Sequence, residues 1–440
     1  MSAADRSSGR HHYRRATEPA RSIPSHGPSH GHGHGGHGPA PPASRRVRML
    51  LAAVLVPVAL VTLVGLWLTW PSDTPRSGVD IGFGQRPVHG EVLAASSAPC
   101  SSASTSIDGA RTDGASIGGA DEAKKCISLD VQLANGESPG VTIQQVLPDE
   151  PSTPRFTVGD QIVLAYTGGD PTDPGAYQIQ DFQRGVSMLW LVALFAAAVL
   201  LLGRWKGLAS LAALGFSFLV LAVYLFPAIL NGADPVIVAV LAAGVIMFGV
   251  LYLTHGFCAQ TSSAVLGTVL SLGLIGVLGT AFSAATQLTG LDDDTANLIS
   301  VLGQGIDARG LLLAGMIIGA LGVLDDVTVT QTSAVWELRR ANPALGARAL
   351  YTAALRIGRD HISSAVNTLA LAYAGAALPV LLAFSLSGQS FGTLITAQNV
   401  AQEVVRTLVG SIGLVAAVPI TTAIAAVVVT RNHIAASTQY

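Results

Sequence analysis

The chain has 440 residues, of which 50% are hydrophobic and only 12% are charged, and its formal net charge is -2. Together with a mean hydropathy of +0.50, this composition excludes an ordinary soluble protein, and the near-neutral charge provides no basic field for nucleic acid. We therefore predict a polytopic membrane protein whose first partner is the lipid bilayer and which does not bind nucleic acid.

Residues 1–44 form a segment rich in Gly, Pro and Ser that also carries seven of the eleven histidines of the chain. A segment of this composition cannot bury a core, so we expect a disordered cytoplasmic tail. Clustered neutral imidazoles also bind transition metals. A weak metal site is therefore the alternative to a solvated tail, and its candidate ligands are His30, His32, His34 and His37.

The apolar stretch over residues 45–70 is long enough to cross a membrane, because about 20 helical residues span the hydrocarbon core. It is longer than the apolar region of a cleaved signal peptide, which has roughly 7 to 15 residues. We therefore predict a first transmembrane helix that acts as an uncleaved signal anchor. Cleavage after this segment is the alternative.

Residues 71–185 begin as a linker and change to alternating apolar and polar residues at Cys126. Alternation with a period of two predicts β-strands, and Asn135-Gly136 supplies a turn between two of them. A further strand is predicted from Phe156 onwards. We expect a small extracytoplasmic β-domain with a binding or packing role. Cys100 and Cys126 are predicted to form a disulfide there, and two unpaired thiols are the alternative.

Seven further apolar segments follow between residues 186 and 430, each roughly 17 to 25 residues long. With the first span they predict an all-α bundle of about eight transmembrane helices. Arginine and lysine concentrate in the connections on one side, so the positive-inside rule places both termini, including the tail at residues 431–440, in the cytoplasm. The predicted spans are residues 48–70, 186–203, 207–230, 235–255, 264–286, 311–331, 364–386 and 408–430.

Two adjacent acids, Asp325 and Asp326, interrupt the apolar run of the sixth span. A carboxylate at membrane depth costs on the order of 3 kcal/mol, so such residues usually face a bundle interior, a partner or a water pathway. Asp326 continues a helical stripe of three glycines whose spacing allows another helix backbone to approach, whereas Asp325 lies about 100° away. We therefore predict that Asp326 faces a neighbouring helix and is the stronger functional candidate. The glycines of this stripe are Gly315, Gly319 and Gly322.

The polar residues that follow the two acids predict a water-accessible vestibule in the cytoplasmic half of the sixth span. The start of the seventh span offers partners for it, because three polar residues recur there at positions i, i+4 and i+7. The predicted ion or substrate relay consists of Asp325, Asp326, Thr330, Asp360, His361, Ser364 and Asn367. In the alternative, the carboxylates pair with arginines of the connecting loop and only stabilise helix ends.

No phosphate-binding loop, zinc-protease motif or nucleophile elbow occurs in the sequence. We therefore expect neither an enzyme nor a resident cofactor.

Three ordered segments carry a resemblance to a known family: GALGVLDDVTVTQTSAVWELRRANP from Gly319, GRDHISSAVNTLALAYAGAALP from Gly358 and VVRTLVGSIGLVAAVPITT from Val404. Over roughly residues 185–430 the chain resembles the YibE/F-like family of bacterial membrane proteins. The resemblance implies a multi-pass protein of the bacterial plasma membrane. It transfers no substrate and no catalytic residue to this chain.

Two functions are predicted as alternatives. The first is a transporter or export component whose network around Asp326 binds a proton, a cation or a small-molecule substrate. The second is a non-enzymatic scaffold for envelope assembly, in which the β-domain binds an envelope protein or the chain forms a homo-oligomer. In the second case the acids only hold helices together.

Overall fold

The computed structural model describes residues 44–71, 86–100, 125–292, 295–297, 299, 306–386, 388 and 390–434. The predicted N-terminal tail with its four candidate histidine ligands therefore lies outside the described residues, as do residues 435–440. Within the described ranges, no group of three or more His, Cys, Asp and Glu side chains is arranged to hold a metal ion.

The segment after the first helix contains one antiparallel sheet of five strands, in the order β3-β2-β1-β4-β5. The first strand is central, because it pairs with β2 on one side and with β4 on the other. A small β-sheet is thus present where alternation predicts strands. Its strands are β1 (Arg86–Pro99), β2 (Lys125–Leu133), β3 (Thr142–Pro148), β4 (Gln161–Tyr166) and β5 (Tyr177–Phe182).

The prediction of a strand from Phe156 is wrong at its start, because residues 157–160 form a turn and the strand begins after them. The backbone amide of Thr157 donates to the carboxylate of Asp160 at 2.7 Å, which is a hydrogen bond that closes the chain on itself. A disulfide joins Cys100 and Cys126, the pair that the sequence predicts. This bond links the end of β1 to the start of β2, which are neighbours in the sheet.

The other main elements of the described chain are helices, and several of them are longer than the spans that the sequence predicts. Their bounds are α1 (Arg45–Leu68), α2 (Gly185–Val220), α3 (Phe226–Leu230), α4 (Pro235–His255), α5 (Ala259–Ala285), α6 (Ala308–Ala341), α7 (Ala347–Ala376), α8 (Leu378–Leu386), α9 (Phe391–Thr396) and α10 (Gln398–Ile434).

In the part of the chain that the structure describes, six helical segments are long and apolar enough to cross a membrane, which makes this an integral membrane protein. The longest, Gly185–Leu230, has 46 residues, more than twice the roughly 20 residues that one crossing needs. It bends at Arg204, whose φ of 51° is not helical. A Cβ at Gly207 would lie 2.3 Å from the carbonyl oxygen of Val199, although a straight helix separates positions eight residues apart by about 12 Å. This bend lies where the sequence predicts a break between two spans.

The predicted seventh span, residues 364–386, is not one helix. α7 ends at Ala376, and α8 begins at Leu378 with Pro379 in its first turn. α7 is also absent from the six apolar segments among the described residues, because charged and polar side chains interrupt its apolar run. The predicted total of eight spans is therefore not shown.

α5, α6 and α10 pack closely against one another in the middle of the bundle. At one contact between α5 and α10, a Cβ added to Gly413 would lie 2.1 Å from Cγ1 of Ile275, so only glycine fits there without displacing its neighbour. Gly276, one residue further along α5, has no such neighbour, since nothing lies within 4 Å of a Cβ at that position. Gly413 and Gly276 are therefore a matched pair of sites for substitution, one at a close helix contact and one without a neighbour.

We predict that Gly413→Ala lowers the thermal stability of the detergent-solubilised protein, because overpacking a close contact costs about 1 to 3 kcal/mol. Gly276→Ala should leave stability unchanged or raise it, since alanine favours a helix by about 1 kcal/mol relative to glycine. Thermal unfolding of both variants measures the difference. Equal shifts of Tm in the two variants would contradict this packing of α5 against α10.

Candidate functional site

Small polar side chains are buried on α5, α6 and α10, three helices that pack against one another, and we name this group the polar seam. Six of its members are at most 1% exposed, and Asp325 is partly buried. Burial of so many polar groups among apolar helices requires partners for them, because an unpaired polar group is costly away from water. The polar seam consists of Thr268, Ser271, Asp325, Thr328, Gln331, Thr421 and Thr422.

Two hydrogen bonds between helices join parts of the seam. The hydroxyl oxygens of Thr268 and Thr328 lie 2.9 Å apart and connect α5 to α6. The Thr422 hydroxyl donates to the amide oxygen of Gln331 at 2.9 Å and connects α10 to α6. The seam thus holds α6 to the helices on both sides of it.

Glycines provide the room that the seam needs. A Cβ at Gly267 would lie 2.2 Å from the Thr421 hydroxyl oxygen, and a Cβ at Gly358 of α7 would lie 2.6 Å from the Gln331 amide nitrogen. Any larger residue at either position would displace these polar groups. The glycines therefore allow polar side chains, as well as helix backbones, to approach.

The register between α5 and α6 places Ser271 level with Asp325. The two helices run antiparallel, since Gln260 contacts Ser333 near one end and Thr268 contacts Thr328 further along. Moving three residues along each helix from the Thr268 contact with Thr328 leads to Ser271 on α5 and to Asp325 on α6. Asp325 and the hydroxyl of Ser271 therefore lie at the same depth.

Four buried polar atoms in the seam have no hydrogen-bond partner among the described residues. Each such atom costs roughly 1 to 3 kcal/mol if it stays unpaired, so a water molecule or an ion is expected to satisfy it. Two of them belong to α6, in residues that are six positions, or about 9 Å of helix, apart. The atoms are Ser271 Oγ, Asp325 Oδ1, Gln331 Nε2 and Thr421 Oγ1.

The seam is polar towards one end of the bundle and apolar towards the other. Residues 256–258 connect α4 to α5 at one end of the bundle, which we name the connection end. Near this end the Gln260 amide donates to the Ser333 hydroxyl at 2.9 Å. Both of these residues are half-buried. Beyond Asp325, an apolar cluster closes the seam, and it includes Ile275, Leu312, Leu313, Met316, Leu324 and Val409.

Asp326 lies outside the seam. It is exposed, and within the described part of the chain its carboxylate forms neither a hydrogen bond nor an ion pair. The glycine stripe leading to it is approached by side chains rather than by a helix backbone: a Cβ at Gly319 would lie 3.1 Å from the Tyr373 hydroxyl, and one at Gly315 would lie 3.9 Å from Arg406. At Gly322 nothing lies within 4 Å. Burial therefore favours Asp325, the reverse of the ranking that the sequence suggests.

The structure does not bring the predicted partners on α7 to either acid. Four of them are exposed, and the buried residues of α7 are Leu350, Ala354 and Gly358 instead. Thr330 of α6 is half-buried. No hydrogen bond joins the carboxylate of Asp325 or Asp326 to these residues in the described ranges. The four exposed residues are Asp360, His361, Ser364 and Asn367.

The alternative of pairing with loop arginines is not observed either. Arg340 pairs with Glu337 at 2.7 Å, and Arg339 donates to the carbonyl of Leu345. The ion pair between Glu403 and Arg406 on α10 is present, with 2.6 Å between the atoms. Neither acid of the adjacent pair takes part in an ion pair within the described residues.

A separate open pocket of about 540 Å³ lies between α7, α8 and α10. Its lining includes Tyr373, Glu403, Thr407 and Leu408, together with Asp292 from the loop after α5. It contains no member of the polar seam and none of the predicted relay residues. The pocket is therefore distinct from the site built around Asp325.

Sequence reasoning missed four residues of the seam: Thr268, Ser271, Thr421 and Thr422. Each is a small Ser or Thr residue in a largely apolar helix, and such residues usually bond to their own helix backbone. Only the packing of the helices in the structure shows that all four residues face the interior of the bundle. The polar run on α6 was visible in the sequence, and its members Thr328 and Gln331 do belong to the seam.

Comparison with known proteins identifies one family. Residues 191–431 match the family model described as YibE/F-like protein, which covers more than half of the chain and includes all of the seam. This match confirms the resemblance inferred from the three sequence segments. No curated protein and no solved structure matches the chain.

We predict an energetic coupling between Thr268 and Thr328 of about 0.6 kcal/mol, the average for hydrogen bonds between membrane helices. A double-mutant cycle with Thr268→Val and Thr328→Val measures it by unfolding in detergent. Thr268→Val combined with Thr280→Val is the control, because the exposed Thr280 bonds to its own helix at Gly276. A coupling no larger than that of the control pair would contradict the contact.

Proposed function

We propose that this chain, which belongs to the YibE/F-like family, moves a small hydrophilic species across a membrane and that the polar seam is its route. One observation carries the proposal: four buried polar atoms of the seam lack partners among the described residues, in helices that are largely apolar. A seam that served only to hold helices together would be expected to pair its polar groups internally, because unpaired ones reduce stability.

The polarity of the seam supports a route with one open side. Half-buried Gln260 and Ser333 lie near the connection end, and the buried polar groups continue from there to Asp325. The apolar cluster beyond Asp325 opposes the passage of a hydrophilic species. A transport protein that alternates between two states needs such an arrangement, in which a binding group is reached from one side at a time.

Asp325 is the charged residue at the inner end of this route. Acids inside a membrane bundle commonly belong to ion or proton pathways. The exposed Asp326 is less suited to this role, because nothing in the described chain closes it off from the surroundings. We therefore assign binding of the transported species to Asp325.

We further propose that the protein lies in a bacterial plasma membrane with both termini in the cytoplasm. The support is the charge distribution: Arg204 and Lys206 lie at the bend of α2, and the sequence from Arg339 to Arg359 carries further arginines near the connection end. In this orientation the polar side of the seam opens towards the cytoplasm.

A second candidate function is an envelope scaffold. It is favoured by the exposed polar residues of α7, because a stripe of Asp360, Ser364 and Asn367 is poorly suited to lipid and well suited to a protein partner. In that case the partner would cover α7, and the seam would have only a packing role. Exchange of Asp325 would then reduce protein abundance without a selective loss of activity.

We predict that Asp325→Asn lowers flux through the protein in liposomes by about tenfold or more, since losing a hydrogen bond to a charged group costs roughly 1.5 to 3 kcal/mol. Asp326→Asn is the control, because it removes an adjacent but exposed carboxylate and should keep flux within about twofold of the parent protein. A pH-sensitive dye and a panel of ions serve as readouts in liposomes that contain equal amounts of each protein.

Equal flux in the two variants would contradict the assignment to Asp325. A parent protein that transports none of the ions and does not alter internal pH would contradict the transport proposal. Complementation of a deletion strain distinguishes the scaffold hypothesis from the transport hypothesis. If the protein is a scaffold, both variants restore the phenotype when present at normal abundance, whereas a variant without residues 86–182 does not.

A further inference from the structure

We propose that the open pocket between α7, α8 and α10 binds an organic cation with apolar substituents, and that Asp292, Tyr373 and Glu403 recognise its positive charge. This site goes beyond the proposed function, because the pocket contains no member of the polar seam. It lies where α5 has ended and α10 begins, at the end of the bundle opposite the connection end. Binding there is therefore measurable without any assay of transport.

The size and the walls of the pocket fit a small organic molecule. Its volume of about 540 Å³ lies within the range of roughly 300 to 1,000 Å³ that is usual for ligand pockets. Nine of the fourteen described residues that line it are Ala, Val or Leu, so most of its wall is apolar. Such a wall stabilises the apolar substituents of an organic ligand, because it removes them from water.

The charge of the lining favours a cation. Among the described residues of the lining only Asp292 and Glu403 are charged, and both are acids. Glu403 pairs with Arg406, with 2.6 Å between the atoms, and Arg406 is not part of the described lining. Asp292 accepts a hydrogen bond from the backbone amide of Thr295 at 2.7 Å and forms no ion pair with a described residue. Its negative charge is therefore uncompensated in the described part of the pocket, and it would repel an anion.

Tyr373 provides an aromatic surface close to these charges. Its side chain lines the pocket, and its hydroxyl reaches towards α6, where a Cβ at Gly319 would lie 3.1 Å from it. The same hydroxyl is near enough to Glu403 and Arg406 to interact electrostatically with both. Aromatic rings attract cations, and this attraction is used to recognise quaternary ammonium groups. The lining therefore suits a positive charge that is surrounded by apolar substituents.

A metal ion fits this pocket less well. Hard metal cations typically take about six or more oxygen ligands. Within the described ranges, no group of three or more His, Cys, Asp and Glu side chains is arranged to hold a metal ion. The mostly apolar wall also offers nothing to a hydrated ion. An organic cation needs only a few charged or aromatic groups, because its apolar substituents contribute the rest of the contact.

The test is equilibrium dialysis of the purified full-length protein in a non-ionic detergent, with protein-free micelles as the blank. Two probes of the same shape and opposite charge are compared: the tetraphenylphosphonium cation and the tetraphenylborate anion. Salt at about 0.15 M screens charges that lie further than about 8 Å from the probe. We expect saturable binding of the phosphonium and binding of the borate that is at least about tenfold weaker, since the uncompensated carboxylate attracts only the cation.

Three substitutions test the groups that recognise the cation. Asp292→Asn removes the charge and keeps an acceptor for the amide of Thr295, so it should weaken phosphonium binding about fivefold or more. Tyr373→Leu keeps an apolar side chain but removes the ring, and it should weaken binding about threefold or more. Glu403→Gln should also weaken binding, because it leaves Arg406 without its ion pair beside the pocket. Size-exclusion chromatography confirms that each variant is folded before binding is measured.

Asp307→Asn is the matched control. Asp307 accepts a hydrogen bond from the backbone amide of Arg309 at 3.1 Å, which resembles the role of Asp292. It is exposed and does not belong to the described lining of the pocket. Because α5 and α6 run antiparallel, Asp307 and Asp292 lie at the same end of the bundle. Phosphonium binding to this variant should stay within about twofold of the parent protein.

The inference is overturned if the borate binds as tightly as the phosphonium, or if the phosphonium does not bind saturably. It is also overturned if Asp292→Asn and Tyr373→Leu both bind the phosphonium within about twofold of the parent protein. If Asp307→Asn weakened binding as much as Asp292→Asn, a general attraction to this end of the bundle would explain the result, and the assignment to the pocket would be wrong.

Discussion

The cost of burying a polar atom without a partner is the constraint on which the arrangement of α5, α6 and α10 depends. These helices carry hydroxyl, amide and carboxylate groups into an apolar bundle, where each unpaired group is expensive. Two hydrogen bonds between helices satisfy part of the demand, and both involve α6. Four further atoms on these three helices have no partner among the described residues, and that is why the seam is a candidate for binding rather than only for packing.

Glycine has a particular role in this arrangement. Gly267 and Gly358 leave space for Thr421 and Gln331, so polar side chains can reach positions that a methyl group would occupy. The glycines of the stripe on α6 have a different setting, because Tyr373 and Arg406 approach two of them and an open face surrounds the third. Small residues in a membrane helix therefore do not by themselves identify a helix interface.

Much of the fold followed from periodicity and length. The strands with alternating residues, the apolar spans and the break near Arg204 were predictable, because each depends on local spacing. β1 was missed because it carries little alternation and is held in place by pairing with β2 and β4, which are distant in sequence. α7 was mispredicted as a later span because its first turns are polar, and only its packing through Leu350 and Ala354 shows that the helix begins earlier.

The candidate site was predictable only in part. Helix geometry correctly separated Asp325 from Asp326 by about 100°, but it could not show which of the two faces was covered. The glycine stripe suggested Asp326, whereas the neighbouring helices cover Asp325. Ser271 and Thr421 carry no sequence signal beyond being small and polar, and their relevance depends on the register of α5 and α10 against α6.

The central claim is that Asp325 ends a buried polar route and has a partner that is not part of the protein. An experimental structure in a lipid bilayer, at a resolution that shows bound water and ions, tests this most directly. The account predicts non-protein density in contact with Asp325 Oδ1, and a carboxylate of Asp326 that does not share it. An Asp325 carboxylate paired with an arginine, or hydrogen-bonded directly within a seam that contains no such density, would contradict the account.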